Sequence, residues 1–128
     1  MKRIFKSKYK NKSRECLQGH WHHSTFEARY CDQLALLVKA NEIKSYETQK
    51  KFSLDVNGVH ISNHYVDFLV TTNEDKLEIH ETKGFATQDW LFKKRLTEAL
   101  YPDIPYIVVV KAKEGRFYAR SYQKFRKK

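Results

Sequence analysis

Three acids and one lysine are the residues of this sequence best placed to do chemistry. Glu81-Thr82-Lys83 closes the run Leu77–Lys83, which reads as a strand. Side chains alternate along a strand, so Glu81 and Lys83 share one face while Thr82 points away. An acid and a lysine two apart on one face can serve a single phosphate, the acid acting through a metal. Asp67 lies between Tyr65-Val66 and Phe68-Leu69-Val70. An acid in so apolar a run is costly to bury without a partner. A divalent metal shared with Glu81 satisfies it, provided the two strands pair through an Asn73-Glu74-Asp75 turn. Phosphodiester hydrolysis calls for these types. Carboxylates are hard oxygen ligands for Mg²⁺ or Mn²⁺, and the Thr82 backbone carbonyl can add another. The metal lowers the pKa of bound water and stabilises charge on the phosphate. A lysine beside it orients the water or stabilises the charged transition state.

The surrounding pattern supplies the elements that must position these groups. Ser24 and Glu27 fit a capping box, and the helix it opens runs to about Ala40. Phe26, Tyr30, Leu34 and Val38, with Leu37, form its apolar stripe. Phe52, Leu54 and Val56 alternate as a strand, and Asn57-Gly58 predicts a hairpin because both turn residues need positive φ. Val59 and Ile61 begin the return strand, and Tyr65–Thr71 continues it or forms another. Thr87 or Asp89 caps a second helix through about Tyr101, with Phe92, Leu96 and Leu100 at i, i+4 and i+8, and Pro102 ends it. Pro105–Ala112 is a dense β-branched run that reads as a buried strand. The order is helix, three strands, helix, strand. It predicts an α/β fold with a mixed central sheet flanked by helices.

The 128 residues suit one domain, with a basic N-terminal arm (1–23) and a basic C-terminal tail (113–128). Of the net charge of +10, residues 1–15 carry +6, residues 111–128 carry +7 and the body between them carries −3. Phe5, Tyr9, Phe117, Tyr118, Tyr122 and Phe125 interleave with the basic ends. Lysines and arginines displace condensed counterions and aromatics stack on bases, so these ends suit a nucleic acid. Lys50, Lys51, Lys93 and Lys94 are further candidates for phosphate contact, against the plain reading of solvated charged faces. The longest apolar runs, Leu34–Val38 and Tyr106–Val110, fall far short of a membrane span, and Met1-Lys2-Arg3 leads into no apolar stretch of a secretory signal. Two cysteines make no disulfide framework, which predicts a reducing, cytoplasmic setting.

Asp67, thirteen intervening residues and Glu81-x-Lys83 together resemble the PD-(D/E)XK nuclease superfamily, whose αβββαβ core the element order also resembles. The longer pattern is similar to a family of small phage-encoded nuclease-like proteins. It comprises Ser24-Thr25-Phe26-Glu27, Ile43 through Phe52, Tyr65-Val66-Asp67-Phe68, Glu81-Thr82-Lys83-Gly84-Phe85 and Lys93-Lys94-Arg95-Leu96. The resemblance implies a restriction-endonuclease-like core over residues 24–110, with Asp67 and Glu81 as ligands of Mg²⁺ or Mn²⁺, Lys83 as catalytic lysine and Glu27 as an acid of the first helix joining the site. It further implies a metal-dependent DNA endonuclease, of the kind that includes Holliday-junction resolvases and often acts as a homodimer in phage recombination. Val66 stands where that superfamily commonly has proline, and His80 where an apolar residue is usual.

Rival readings remain. A non-catalytic nucleic-acid-binding protein on the same fold accounts for the charge, and Glu27 doubles as a capping acid. Gln49 can approach the site from a strand start. Cys16, His20, His22, His23 and Cys31 suffice in number for zinc, but their spacing fits no common finger. The alternative is that His20–His23 and Trp21 contact substrate near the helix start, or simply pack.

Overall fold

The structure, a computed structural model, describes residues 13–84 and 86–111, and the backbone of 117–120. The remainder of both basic ends, with Phe5, Tyr9, Tyr122 and Phe125, lies outside the described residues, as does Phe85. The elements run β1 (Arg14–Glu15), β2 (Trp21–His22), α1 (Thr25–Lys39), β3 (Ser45–Val56), β4 (Val59–Thr71), β5 (Leu77–Thr82), α2 (Gln88–Leu100), β6 (Tyr106–Lys111) and β7 (Phe117–Arg120). From α1 to β6 this is the expected helix, three strands, helix, strand. No helix among the described residues is long and apolar enough to cross a membrane.

Local chemistry sets most boundaries. The Ser24 side chain accepts the Glu27 N–H at 3.0 Å, capping α1, and Thr87 accepts the Trp90 N–H at 3.2 Å, capping α2. Asn57 and Gly58 take φ of 51° and 81°, closing a two-residue hairpin between β3 and β4. Asp75, at φ 64°, turns β4 into β5. The sheet order is β3-β4-β5-β6-β7. The β5–β6 pair is parallel and bridged by α2, whereas the other pairs are antiparallel. The sheet is therefore mixed.

The two helices cover opposite faces of the sheet. Ala28, Tyr30, Cys31 and Leu34 of α1 pack with Phe68, Val70 and Val109. Trp90 of α2 packs with Phe52, Leu54, Val66, Leu69, Ile79, Tyr106, Val108 and Val110. Val66 and Phe68 are two apart in one strand, yet they join opposite cores. A regular strand would put them on one face. The reversal occurs where the β3–β4 ladder passes from Thr48↔Phe68 to Lys50↔Val66 and skips Gln49 and Asp67. Gln49 there adopts φ 51°, a left-handed conformation that costs a non-glycine residue and persists only where its surroundings hold it.

Two expectations about packing are corrected. Residues 13–23 do not all belong to a featureless arm, because β1 and β2 pair as Arg14↔His22 and Glu15↔Trp21 against α1. The inner face of α2 is also broader than the stripe and leaves out its first residue. Phe92 is 60% exposed, while Trp90, Lys94 and Thr97 are buried. Leu96 and Leu100 of the expected stripe pack against the core, and Trp90 and the stem of Lys94 seat beside them against the sheet, leaving Phe92 outside.

Candidate active site

Glu27, Asp67, Thr82 and Lys83 line one open cleft, together with His23, Ser24, Phe26, Gly84, Thr87 and Lys111. The cleft lies beyond the C-terminal ends of the parallel strands β5 and β6 and beside the start of α2. The register Thr82↔Val109 explains how Lys111 reaches it, two residues past Val109 as Gly84 is past Thr82.

Asp67 sits at the skipped position of the β3–β4 ladder. Its Oδ2 accepts the Thr82 N–H at 3.0 Å and the Thr82 hydroxyl at 2.9 Å. Thr82 thus points its side chain at Asp67 rather than away from the site. Burial, and then the nearby Glu27 charge, push the Asp67 carboxyl up to about 7 despite these donors.

Glu81 stands behind Asp67 and is 4% exposed. Its Oε1 accepts the Trp90 indole N–H at 3.0 Å and the Tyr106 hydroxyl. His64 Nε2 lies 2.8 Å from the Tyr106 oxygen. Because Tyr106 gives its proton to Glu81, His64 is the donor in that contact, forming a chain His64–Tyr106–Glu81. Burial, with Asp67 second, raises Glu81 to about 7, and burial holds His64 down at about 4. Lys83 places its ammonium 4.6 Å from the Trp90 ring centroid, so Trp90 orients the lysine and the glutamate together.

Glu27 completes only half of the capping box. Its N–H bonds Ser24, but its carboxylate turns away, accepting Gln49 Nε2 at 3.1 Å and His22 Nδ1 at 2.8 Å on the same Oε2. Burial raises the Glu27 pKa and lowers that of His22, so the contact is a hydrogen bond from a neutral imidazole rather than an ion pair. The strained Gln49 is what delivers the amide to Glu27.

The structure brings the predicted Glu27, Asp67, Thr82 and Lys83 to one cleft, with Glu81 immediately behind them. It treats the candidate phosphate-contact lysines differently. Lys50 is exposed and lies 3.4 Å from Glu47, and Lys51 is exposed. Lys93 is half-buried and 3.9 Å from Asp89. Lys94 is 2% exposed, pairs with Glu98 at 3.0 Å and lies 5.1 Å from the Tyr106 ring centroid, so it is withdrawn from any surface ligand. Sequence reasoning missed Lys111, Trp90, Tyr106 and His64. Only Lys111 had a signal, as the basic residue ending a strand that follows a crossover helix.

Residues 6–117 match DUF1064, a family described as a protein of unknown function. The chain belongs to the DUF1064 family. No curated protein and no solved structure matches it.

Proposed function

We propose that the chain is a metal-dependent DNA endonuclease built on a restriction-endonuclease-like, PD-(D/E)XK core. The observation that carries this reading is the convergence of Glu27, Asp67 and Lys83 on one cleft, with Glu81 directly behind, at the step where the β3–β4 ladder breaks. Mutual electrostatic pressure among the three acids supports it. Each of Asp67, Glu81 and Glu27 has its pKa raised, in part by another of the three. Such pressure is relieved by a cation. The donor set is all oxygen and suits Mg²⁺ or Mn²⁺: Asp67 Oδ1 and Glu81 Oε2 remain after the hydrogen bonds above, with the Thr82 carbonyl and Glu27 alongside.

A divalent ion held there supplies Lewis-acid stabilisation of phosphate charge and a more acidic water. The chain's own groups do the rest. Glu27, steadied by His22 and Gln49, positions the attacking water and is basic enough to take its proton. Lys83 stabilises charge as it develops on the phosphate. The α2 start at Thr87 and Lys111 attract the scissile phosphate. Basic residues outside the cleft hold the backbone without reading sequence. Branch or junction specificity, a homodimer and a role in phage recombination are refinements that rest on the resemblance alone.

The test is cleavage of labelled linear, single-stranded and four-way-junction DNA, and of RNA, with Mg²⁺, Mn²⁺ or EDTA, comparing the chain with Lys83→Ala. We expect cleavage that requires both metal and Lys83. Salt-sensitive binding with no cleavage of any substrate would instead make this a non-catalytic nucleic-acid-binding protein.

A further inference from the structure

The segment between β1 and α1 is held by unusual chemistry. The pair β1–β2 has only two residue couples, and an isolated hairpin of that size is marginal in water. Its apolar side chains do not anchor it, since Leu17 is 84% exposed and Trp21 66%. The side chains it turns inward are Cys16 and His22, at 6% and 1% exposure. A tight turn joins the two strands, with Cys16 N–H donating to His20 O at 2.8 Å and Gly19 at φ 86°, a conformation that favours glycine. The turn brings His20 back over Cys16. From α1, Cys31 rises between them.

The four potential donors, one each from Cys16, His20, His22 and Cys31, all lie within 4.8 Å of one another. The two sulfurs are 3.5 Å apart, and His20 Nδ1 is 3.3 Å from Cys31 Sγ. Zinc holds thiolates at about 2.3 Å and imidazoles at about 2.0–2.1 Å, which sets tetrahedral ligands roughly 3.3–3.8 Å apart. These two separations lie within a few tenths of an ångström of the zinc spacings, and the four donors together spread no wider than 4.8 Å, so modest side-chain shifts close them on one ion. A second observation points the same way. His22 Nε2 is the one buried side-chain polar atom among the described residues with no hydrogen-bond partner. Its Nδ1 is committed to Glu27, so Nε2 is the nitrogen left for a ligand. Carboxylate–histidine–metal is the arrangement that fixes a liganding imidazole, and the Tyr46 hydroxyl, 3.3 Å from Cys31 Sγ, does the same for a thiolate.

We propose that Cys16, His20, His22 and Cys31 bind one structural Zn²⁺. Two thiolates and two imidazoles close a four-coordinate site with no open position, which selects zinc over the hard cations of the cleft. The ion fastens the β1–β2 hairpin to α1. Through His22 it also fixes Glu27 on the wall of the neighbouring cleft. The site stands whether or not the cleft cuts DNA.

The test counts metal without reference to cleavage. The full chain is purified under reducing conditions and its metal measured by plasma mass spectrometry. We expect about one zinc per chain. Exchange into Co²⁺ should give the visible bands of a tetrahedral, thiolate-bound ion. Cys16→Ser and His20→Asn should abolish stoichiometric zinc. His20 is partly exposed, so His20→Asn, checked by circular dichroism, guards against simple loss of folding. The cobalt spectrum of the unaltered chain needs no variant at all. Glu27→Gln should keep the zinc but weaken it by about 10–100-fold in competition with a chelator. A folded, zinc-free chain that takes up neither Zn²⁺ nor Co²⁺ would overturn the proposal. So would zinc retained in both variants, or a Cys16–Cys31 disulfide in protein isolated without reductant.

Discussion

On one side of Glu27 lie two carboxylates, a lysine and an open cleft; on the other lie two thiols and two imidazoles closed in by α1 and a two-stranded hairpin. The donors differ in kind and in freedom. In the cleft, Asp67 and Glu81 each spend one oxygen on protein donors and keep one, and Lys83 rests on an aromatic ring at the rim. In the closed cluster, every donor faces another donor, and His22 Nε2 has nothing else to bind. Hard oxygen atoms at an opening suit a cation that must meet a phosphate, while soft atoms in a closed tetrahedron suit an ion that never leaves. Glu27 belongs to both, because one of its oxygens serves His22 and Gln49 while the residue lines the cleft.

Removing each region's chemistry in turn should separate their roles. Lys83→Ala or Asp67→Ala should lower the cleavage rate by about 10²–10³-fold or more, with DNA affinity changed only a few-fold by electrophoretic shift. Zinc content should stay close to that of the parent in both, and so should the thermal stability of Lys83→Ala. If Lys83→Ala cuts at the parental rate, the cleft is not a hydrolytic site. Cys16→Ser should do the reverse. It should lower the melting temperature by roughly 7 °C, the shift that about 2 kcal/mol produces in a domain of this size. Cleavage should persist below the new transition, reduced through the loosened Glu27. Calorimetry and a rate measured well below that transition separate the two effects.

The sequence carried the first region far better than the second. Capping residues, the Asn57-Gly58 turn and the alternation of β5 are local signals, and they placed Glu27, Asp67, Glu81 and Lys83 in the right elements. The reversal of faces at Gln49 and Asp67 was not legible, because a strand's parity is broken there by a left-handed backbone that glutamine rarely adopts. For the same reason Thr82 was expected to point away, yet it donates twice to Asp67. The Cys/His cluster was legible in composition but not in spacing. Its ligands come from a five-residue turn, a short strand and a helix residue fifteen positions after Cys16, a pattern common fingers do not use. In α2, Leu96 and Leu100 marked the right helix and part of its inner face, but Phe92 stays outside and Trp90, which reaches Glu81, was not legible.

Trp90 offers a finer cut into the cleft. Trp90→Phe keeps a ring under Lys83 but deletes the N–H that Glu81 accepts. Loss of one hydrogen bond to a buried acid should slow cleavage about 10-fold, with KM little changed. Its pH–rate profile should also shift, because Glu81 loses a donor that favours its charged form. An unaltered pH profile would assign Trp90 to packing alone.

The raised acids predict a pH effect of about the same size. Folded Asp67 titrates near 7 rather than 3.8, so the folded state binds more protons than the unfolded one between those values. Asp67 therefore costs stability increasingly as pH rises through that window. In EDTA, Asp67→Asn should gain stability relative to the parent from pH 4 to pH 7, by on the order of 1 kcal/mol after allowance for water in the cleft. Mg²⁺ or Mn²⁺ should stabilise the parent at pH 8 and barely at pH 5. Parallel denaturation curves for the two proteins at all pH values would show that Asp67 is ionised in the folded chain throughout.

The smallest effects concern the lysines, and they divide by burial. Lys50 and Lys51 point into solvent, so each can displace counterions from a bound polyanion at little cost to the fold. Lys50→Ala should reduce the slope of log affinity against log salt by about 1 if Lys50 contacts a phosphate, and leave the unfolding free energy within about 0.5 kcal/mol of the parent. Lys94 cannot act this way. Its ammonium is enclosed between Glu98 and the Tyr106 ring, and Tyr106 in turn holds Glu81. Lys94→Ala should leave the salt slope unchanged while lowering stability, because it strips packing from α2 and uncovers the ring that orients Glu81. A salt slope that falls with Lys94→Ala and not with Lys50→Ala would place the nucleic acid against α2, and would require that helix to expose the lysine on binding.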